Sequence, residues 1–249
     1  MVKKLLLLGL LPLALTACGG DDGTAGRTTT MTGESTTTAP PPNSHTSFAV
    51  YYLRGSRVAP VRIMVARTAA VAQAALRALS SAPPQGYSSE IVGTEDLNVA
   101  IDDGVAKIDW DARTLAHVAA AQVVYTLTQF PTIRAVELPD GSRASRGDFE
   151  DVVPPILIET PLPHDTVESP IKVAGTASVF EATLVVELVQ AGKVLEKKTV
   201  TAAEGAPGRG AFSTSFDTDA RGAASIVAFS PSAADGSEQH RVAVPIEIS

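Results

Sequence analysis

The residues of this chain that could do chemistry are few and widely spaced. Ser169-Pro170-Ile171-Lys172 has the Ser-x-x-Lys spacing of the serine enzymes that react with penicillin. That chemistry needs serine and lysine one turn apart on a helix. Pro170 and the β-branched residues after it predict the start of a strand instead, where the two side chains do not meet in that way. No Ser-Asp-Asn or Lys-Thr-Gly partner occurs, and there is no Gly-x-Ser-x-Gly elbow. His45, His117, His164 and His240 are scattered without the spacing that brings two imidazoles to one zinc, so they read as surface residues. The run GAPGRG at 205–210 lacks both the lysine and the glycine spacing of a phosphate loop. Three acidic pairs remain: Asp102-Asp103, Asp109 with Asp111, and Asp217 with Asp219. An Asp-x-Asp at a strand end can give calcium two of the six or more oxygens it takes, but turns and helix starts also favour aspartate for local hydrogen bonds. The expectation is a chain with no catalytic residues, no metal and no cofactor. Phe180-Glu181 places a large aromatic between two strands, read first as a plug for the open end of a sandwich and second as an exposed anchor for a partner.

The elements that position these residues begin with an export signal. Lys3 and Lys4 form a positive start, and Leu5 to Leu15 an apolar stretch too short to span a bilayer as a helix. Leu15-Thr16-Ala17-Cys18 follows, with the only cysteine of the chain at its end. This arrangement resembles the lipobox of bacterial lipoproteins. The resemblance implies a signal peptide over 1–17, a diacylglyceryl group on the Cys18 thiol, and a further acyl chain such as palmitate on the new amino terminus. Two or three acyl chains anchor firmly where one does not. Cys18 is thus expected to be a lipid anchor, holding the protein to the extracytoplasmic face of the cell membrane. Removal of Lys3 and Lys4 takes the formal charge from −7 to −9, and the only adjacent basic pair beyond them is Lys197-Lys198. Nucleic acid is therefore not an expected partner.

Residues 18–46 are Gly, Asp, Thr, Ser and Pro with almost nothing to bury, which predicts a disordered tether. From 47 to 151 the patterning predicts an α+β domain. Strands at Ser47–Leu53 and Val58–Val65 precede a helix over Ala69–Ser81 that buries Val71, Ala75, Ala78 and Leu79. A hairpin around Asp102-Asp103-Gly104 comes next. Asp109 and Asp111 suit the start of a second helix, running to about Gln129 with Leu115, Val118, Ala119, Gln122 or Val123, Leu127 and Phe130 along its buried stripe. Pro131 closes it, and Ile133–Leu138 returns as a strand. The order is ββαββαβ, with helices on one face of a sheet. Trp110 reads as a core residue.

Val152-Val153-Pro154-Pro155 is a stiff joint, and 152–249 has no helical period. Seven β-type runs, at Ile156–Thr160, Ile171–Ala177, Ala182–Val189, Val194–Thr201, Gly210–Phe216, Ala223–Phe229 and Val242–Ile248, predict an all-β sandwich of immunoglobulin type. Neither domain has a cysteine, so core packing must hold both. Aromatics make up only 5% of the chain, so aliphatics must supply most of the burial.

Residues 48–149 resemble the GerMN domain of sporulation and germination proteins. The matching stretches are Val50-Tyr51-Tyr52-Leu53, the hairpin Asp102 to Asp109, and above all Gln122-Val123-Val124-Tyr125-Thr126-Leu127-Thr128-Gln129-Phe130-Pro131. Residues 156–248 resemble the immunoglobulin-like domain of bacterial spore germination through Ser169 to Ala177, Val179 to Thr183 and Ser232 to Ser237. The resemblance implies an exported, non-enzymatic protein and brings no catalytic residues. It leaves open whether the organism sporulates. Thr128 and Gln129 are candidate ligand contacts, set against a plain packing role for that run. The first functional expectation is a membrane-tethered scaffold or adaptor for other exported envelope proteins, in envelope, sporulation or germination assembly. The second is a module binding cell-wall glycan or a small wall-derived ligand. Oligomeric state is left open.

Overall fold

The computed structural model describes residues 44–110 and 114–249. Cys18, the signal peptide, most of the tether and Asp111 lie outside them.

Alternating apolar residues and a tight turn at Gly55, with φ +64°, fold the first segment into a long antiparallel hairpin, β1 (His45–Arg54) and β2 (Arg57–Ala66). Helix α1 (Val71–Ser80) buries Ala75, Ala78 and Leu79 as the spacing predicts, adds Ala72 and Leu76, and leaves Val71 half-buried. The hairpin β3 (Val99–Asp102) and β4 (Val105–Ile108) turns through Asp103 and Gly104, both with positive φ. Asp109 does not start a helix. It accepts from the backbone N–H and, at 2.8 Å, the side-chain amide of Asn98, which closes the base of the hairpin and holds its carboxyl below the usual range.

Helix α2 (His117–Leu127) therefore begins later than the charge pattern suggests, and all its residues from Ala119 to Leu127 are buried. A stripe pattern assumes one wet face, whereas α2 packs against α1, β1, β2, β5 (Ala135–Glu137) and the 3-10 turn Arg146–Val152. A two-residue strand, β6 (Arg143–Ala144), was not expected. The domain is α+β as its patterning predicts. Its strands fall into two sheets, the β1–β2 hairpin and a four-stranded sheet ordered β3-β4-β5-β6.

The second half is the expected immunoglobulin-like sandwich. One sheet is β12 (Gly210–Phe216), β9 (Ile171–Ala177) and β7 (Ile156–Thr160), with β9 in the middle. The other is ordered β11 (Lys193–Thr201), β10 (Thr183–Gln190), β13 (Gly222–Pro231), β14 (Glu238–Ile248) and β8 (Asp165–Val167). β8 is an addition, three residues paired in parallel to the end of β14. Gly175 is required at its place, because a Cβ there would meet the Leu157 carbonyl oxygen at 2.0 Å across the β7–β9 ladder. One core runs from Phe48 to Leu157 and a second from Ile156 to Ile248. β7 serves both: with the two-residue period of a strand, Leu157 enters the first core while Ile156 and Ile158 enter the second.

Candidate functional site

The run that carries the first resemblance has a clear structural task. Gln122, Thr126 and Gln129 lie four and three residues apart, hence on one face of α2 and its end. That face meets the backbone of β1. The Ala49 N–H donates to Gln129 Oε1 at 2.9 Å, and Gln129 Nε2 donates to the Ala49 carbonyl at 2.5 Å. One pleat on, the Tyr51 N–H donates to Thr126 Oγ1 at 3.0 Å and Gln122 Nε2 to the Tyr51 carbonyl at 3.2 Å. A row of side chains thus stands where a neighbouring strand would, satisfying the outer edge of β1 and ending the hairpin sheet there. Gln129 is engaged in this row, and also donates to the Thr126 carbonyl at 2.6 Å. Thr128 donates to the Val124 carbonyl at 2.7 Å and accepts from Arg146 Nε at 2.9 Å. Periodicity reads this helix face as apolar, and only the chemistry of its three polar residues hints at the row.

Arg146 leads from there to the junction of the two domains. Its Nη1 stands 2.7 Å from Glu159 Oε1, Nη2 donates to the Tyr125 carbonyl at 3.3 Å, and its guanidinium lies 4.7 Å from the Tyr125 ring centre and 5.3 Å from that of Tyr51. The Tyr51 hydroxyl donates to the same Glu159 oxygen and accepts from Arg146 Nη2 at 3.3 Å. Burial, followed by the Glu159 charge, pushes the Tyr51 phenol up. Burial pushes Tyr125 up to about 12, and its hydroxyl has no hydrogen-bond partner among the described residues. Two further ion pairs cross the same junction. Arg209 Nε stands 2.9 Å from Glu150 Oε2, with Nη2 donating to the Pro154 carbonyl at 3.0 Å. Arg62 Nη2 donates to Asp165 Oδ2 at 2.7 Å. Bidentate and stacked guanidinium contacts of this kind fix orientation as well as energy.

The other candidates are dispersed. Phe180 is 64% exposed, so the plug reading fails. It stands outside because Val179 and Ala182 beside it take the buried positions, and Glu181 and Ala182 both adopt positive φ. Glu181 is exposed next to it. Phe229 does not join them: it is buried with Val185 and Val227 on the outer face of the larger sheet, with Lys197 Nζ 5.3 Å over its ring. Ser169 precedes β9, where its Oγ accepts the Thr218 N–H at 3.0 Å, and Lys172 lies within the strand, so no helix brings them together. Asp217 and Asp219 are exposed, and among the described residues no group of three or more His, Cys, Asp or Glu is placed to hold a metal. Trp110 is half-buried against the first core and donates its indole N–H to the Glu137 carbonyl at 2.9 Å. No helix among the described residues is long and apolar enough to cross a membrane.

Comparison with known proteins supplies family matches for both halves. Residues 49–139 match the family described as sporulation and spore germination, and residues 155–237 the immunoglobulin-like domain of bacterial spore germination. No curated protein matches the chain. Among solved structures, the tandem GerMN domains of the sporulation protein GerM from Bacillus subtilis match at 16% identity over 71% of this chain and 63% of that one, with a TM-score of 0.35. An engineered protein matches at 17% identity over 51% of this chain and only 27% of its own length, with a TM-score of 0.29. Fibronectin(III)-like modules of Clostridium thermocellum CbhA match at 16% identity over 37% of this chain and 93% of that one, with a TM-score of 0.26. The chain therefore couples a sporulation and spore germination domain to an immunoglobulin-like domain of bacterial spore germination.

Proposed function

We propose that this protein is a lipid-anchored adaptor on the extracytoplasmic face of the membrane, holding other exported proteins in an envelope, sporulation or germination assembly. The observation that carries the reading is the junction: Arg146–Glu159, Arg62–Asp165 and Arg209–Glu150 join two domains of germination-associated families, neither described as an enzyme. An adaptor benefits from a fixed angle between its two surfaces, because each domain then presents its face without a further ordering cost on binding. Membrane attachment rests on Cys18 at the end of the lipobox-like run. Exposed Phe180 and Met64 give each domain an apolar contact to offer. The glycan-binding reading ranks below it, since stacking on sugar rings needs an open aromatic face and Trp110 is half-buried.

Crosslinking in intact cells followed by affinity capture tests the reading. The expected result is a discrete set of exported proteins, reduced in the Cys18→Ser variant. Capture of none, with sedimentation of the pure protein on isolated peptidoglycan, contradicts it in favour of the glycan module.

A further inference from the structure

Near the junction, two strands have a side without a strand neighbour among the described residues. β7 is the end strand of its sheet, and β14 is joined by β8 only from Ile246 to Ile248, which leaves its stretch 238–244 without a strand there. Residues of both strands line a groove of about 180 Å³ at the turn of the β1–β2 hairpin. Ile158, Pro163, Val242 and Ala243 give it apolar walls, and Arg54 and Arg57 lie at its rim. Among the described residues no aspartate or glutamate lines it, although the chain as a whole carries a charge of −7. Arg54 stands 6.0 Å over the Tyr87 ring, and Arg57 donates to the Val153 carbonyl at 2.6 Å. Both are exposed and neither forms an ion pair within 4.0 Å among the described residues, while Arg57 also donates to the Asp151 carbonyl at 3.3 Å and its charge adds to the His117 hydrogen bond in lowering the Asp151 carboxyl.

The geometry points to this groove as the docking site for an extended segment of a partner protein, in which a small aliphatic side chain is flanked by a carboxylate. Strand sides recognise extended backbone, and specificity comes from pockets for alternate side chains. The volume decides the ligand class. It falls below the roughly 300 Å³ at which drug-sized sites begin, and suits one aliphatic side chain. Two arginines already held by a ring and a carbonyl lose little freedom on taking a carboxylate, which supplies the charge complementarity. The assignment of the occupant to a partner protein rests on the adaptor reading.

The test uses the full chain and a fluorescein-labelled hexapeptide of alternating valine and glutamate, with the valine–lysine hexapeptide as its counterpart. The expected result is saturable binding of the glutamate peptide, at least about fivefold tighter than the lysine peptide. Arg54→Gln, and Ala243→Trp placed from an exposed position to fill the groove, should each weaken it about fivefold or more, with thermal midpoints within about 2 °C of wild type. Equal binding of the two peptides, no saturable binding, or indifference to both substitutions overturns the proposal. Self-association that Ala243→Trp abolishes also overturns it, by giving the groove to a second copy. Crosslinked exported proteins that persist in Arg54→Gln leave the adaptor reading standing while the groove falls.

Discussion

Arg146 Nη1 stands 2.7 Å from Glu159 Oε1 across the join between the two domains. Both side chains keep part of their surface in water, at 28% and 22%, so their pairing is worth less than that of a fully buried pair. Arg146→Met removes more than a charge, because the guanidinium also covers the Tyr51 and Tyr125 rings.

Arg146→Met should cost about 1–3 kcal/mol and Glu159→Gln about 1–2 kcal/mol in urea unfolding, with the double variant less destabilised than the sum by about 1 kcal/mol. Strict additivity of the two losses would show that the pair does not couple the domains.

Tyr125→Phe removes a buried hydroxyl that has no partner among the described residues. Its stability at neutral pH should equal or exceed that of wild type by about 1 kcal/mol. The folded phenol lies at about 12 against an ordinary 10.0. A raised value favours the neutral phenol in the folded state, so its contribution is present below pH 10.0 and is lost as pH rises through about 12. Tyr51 shifts in the same direction, with burial as the largest cause. Urea midpoints across that window should fall less steeply in Tyr125→Phe than in wild type, and parallel curves would contradict the assignment.

Thr126→Val keeps shape and removes the acceptor for the Tyr51 N–H. It should cost about 1–3 kcal/mol, since a buried donor is left unpaired, whereas Thr126→Ser should recover most of the loss. Amide exchange at Tyr51 reads the bond directly: exchange should accelerate in the valine variant and stay slow in the serine variant.

Local patterning made the strands legible and left the contacts between distant segments unread. Gly210–Phe216 and Ile171–Ala177 have the bounds that alternation and turn residues predict, because each buries one face on a period of two. β6 and β8 are two and three residues long, too short for any period; β6 pairs with nearby β5, and β8 exists through β14, some eighty residues on. α2 departs from its predicted stripe because neighbours cover it all round, which no helix sequence states. Phe180 is exposed through the positive φ angles of the two residues after it, and neither Glu181 nor Ala182 signals that conformation. The junction cluster was missed for the same reason of distance: Tyr51 and Arg146 are 95 residues apart.

Ser169→Ala should lower stability by at most about 1 kcal/mol, the worth of one hydrogen bond to the Thr218 N–H, and leave every phenotype intact. A labelled β-lactam should not acylate the purified protein. Covalent labelling lost in both Ser169→Ala and Lys172→Ala would contradict the strand placement of Lys172 and the adaptor account together.

If this chain acts by binding exported proteins, photocrosslinking in intact cells will capture them at its exposed surfaces. Benzoylphenylalanine placed at exposed Phe180, at exposed Met64 and at exposed Asp217 reports what each surface touches. Discrete adducts with exported proteins are expected from Phe180 or Met64, and none from Asp217. Absence of adducts from both apolar positions and from a further probe at Ala243 in the groove, in cells where the protein is present and folded, would contradict it.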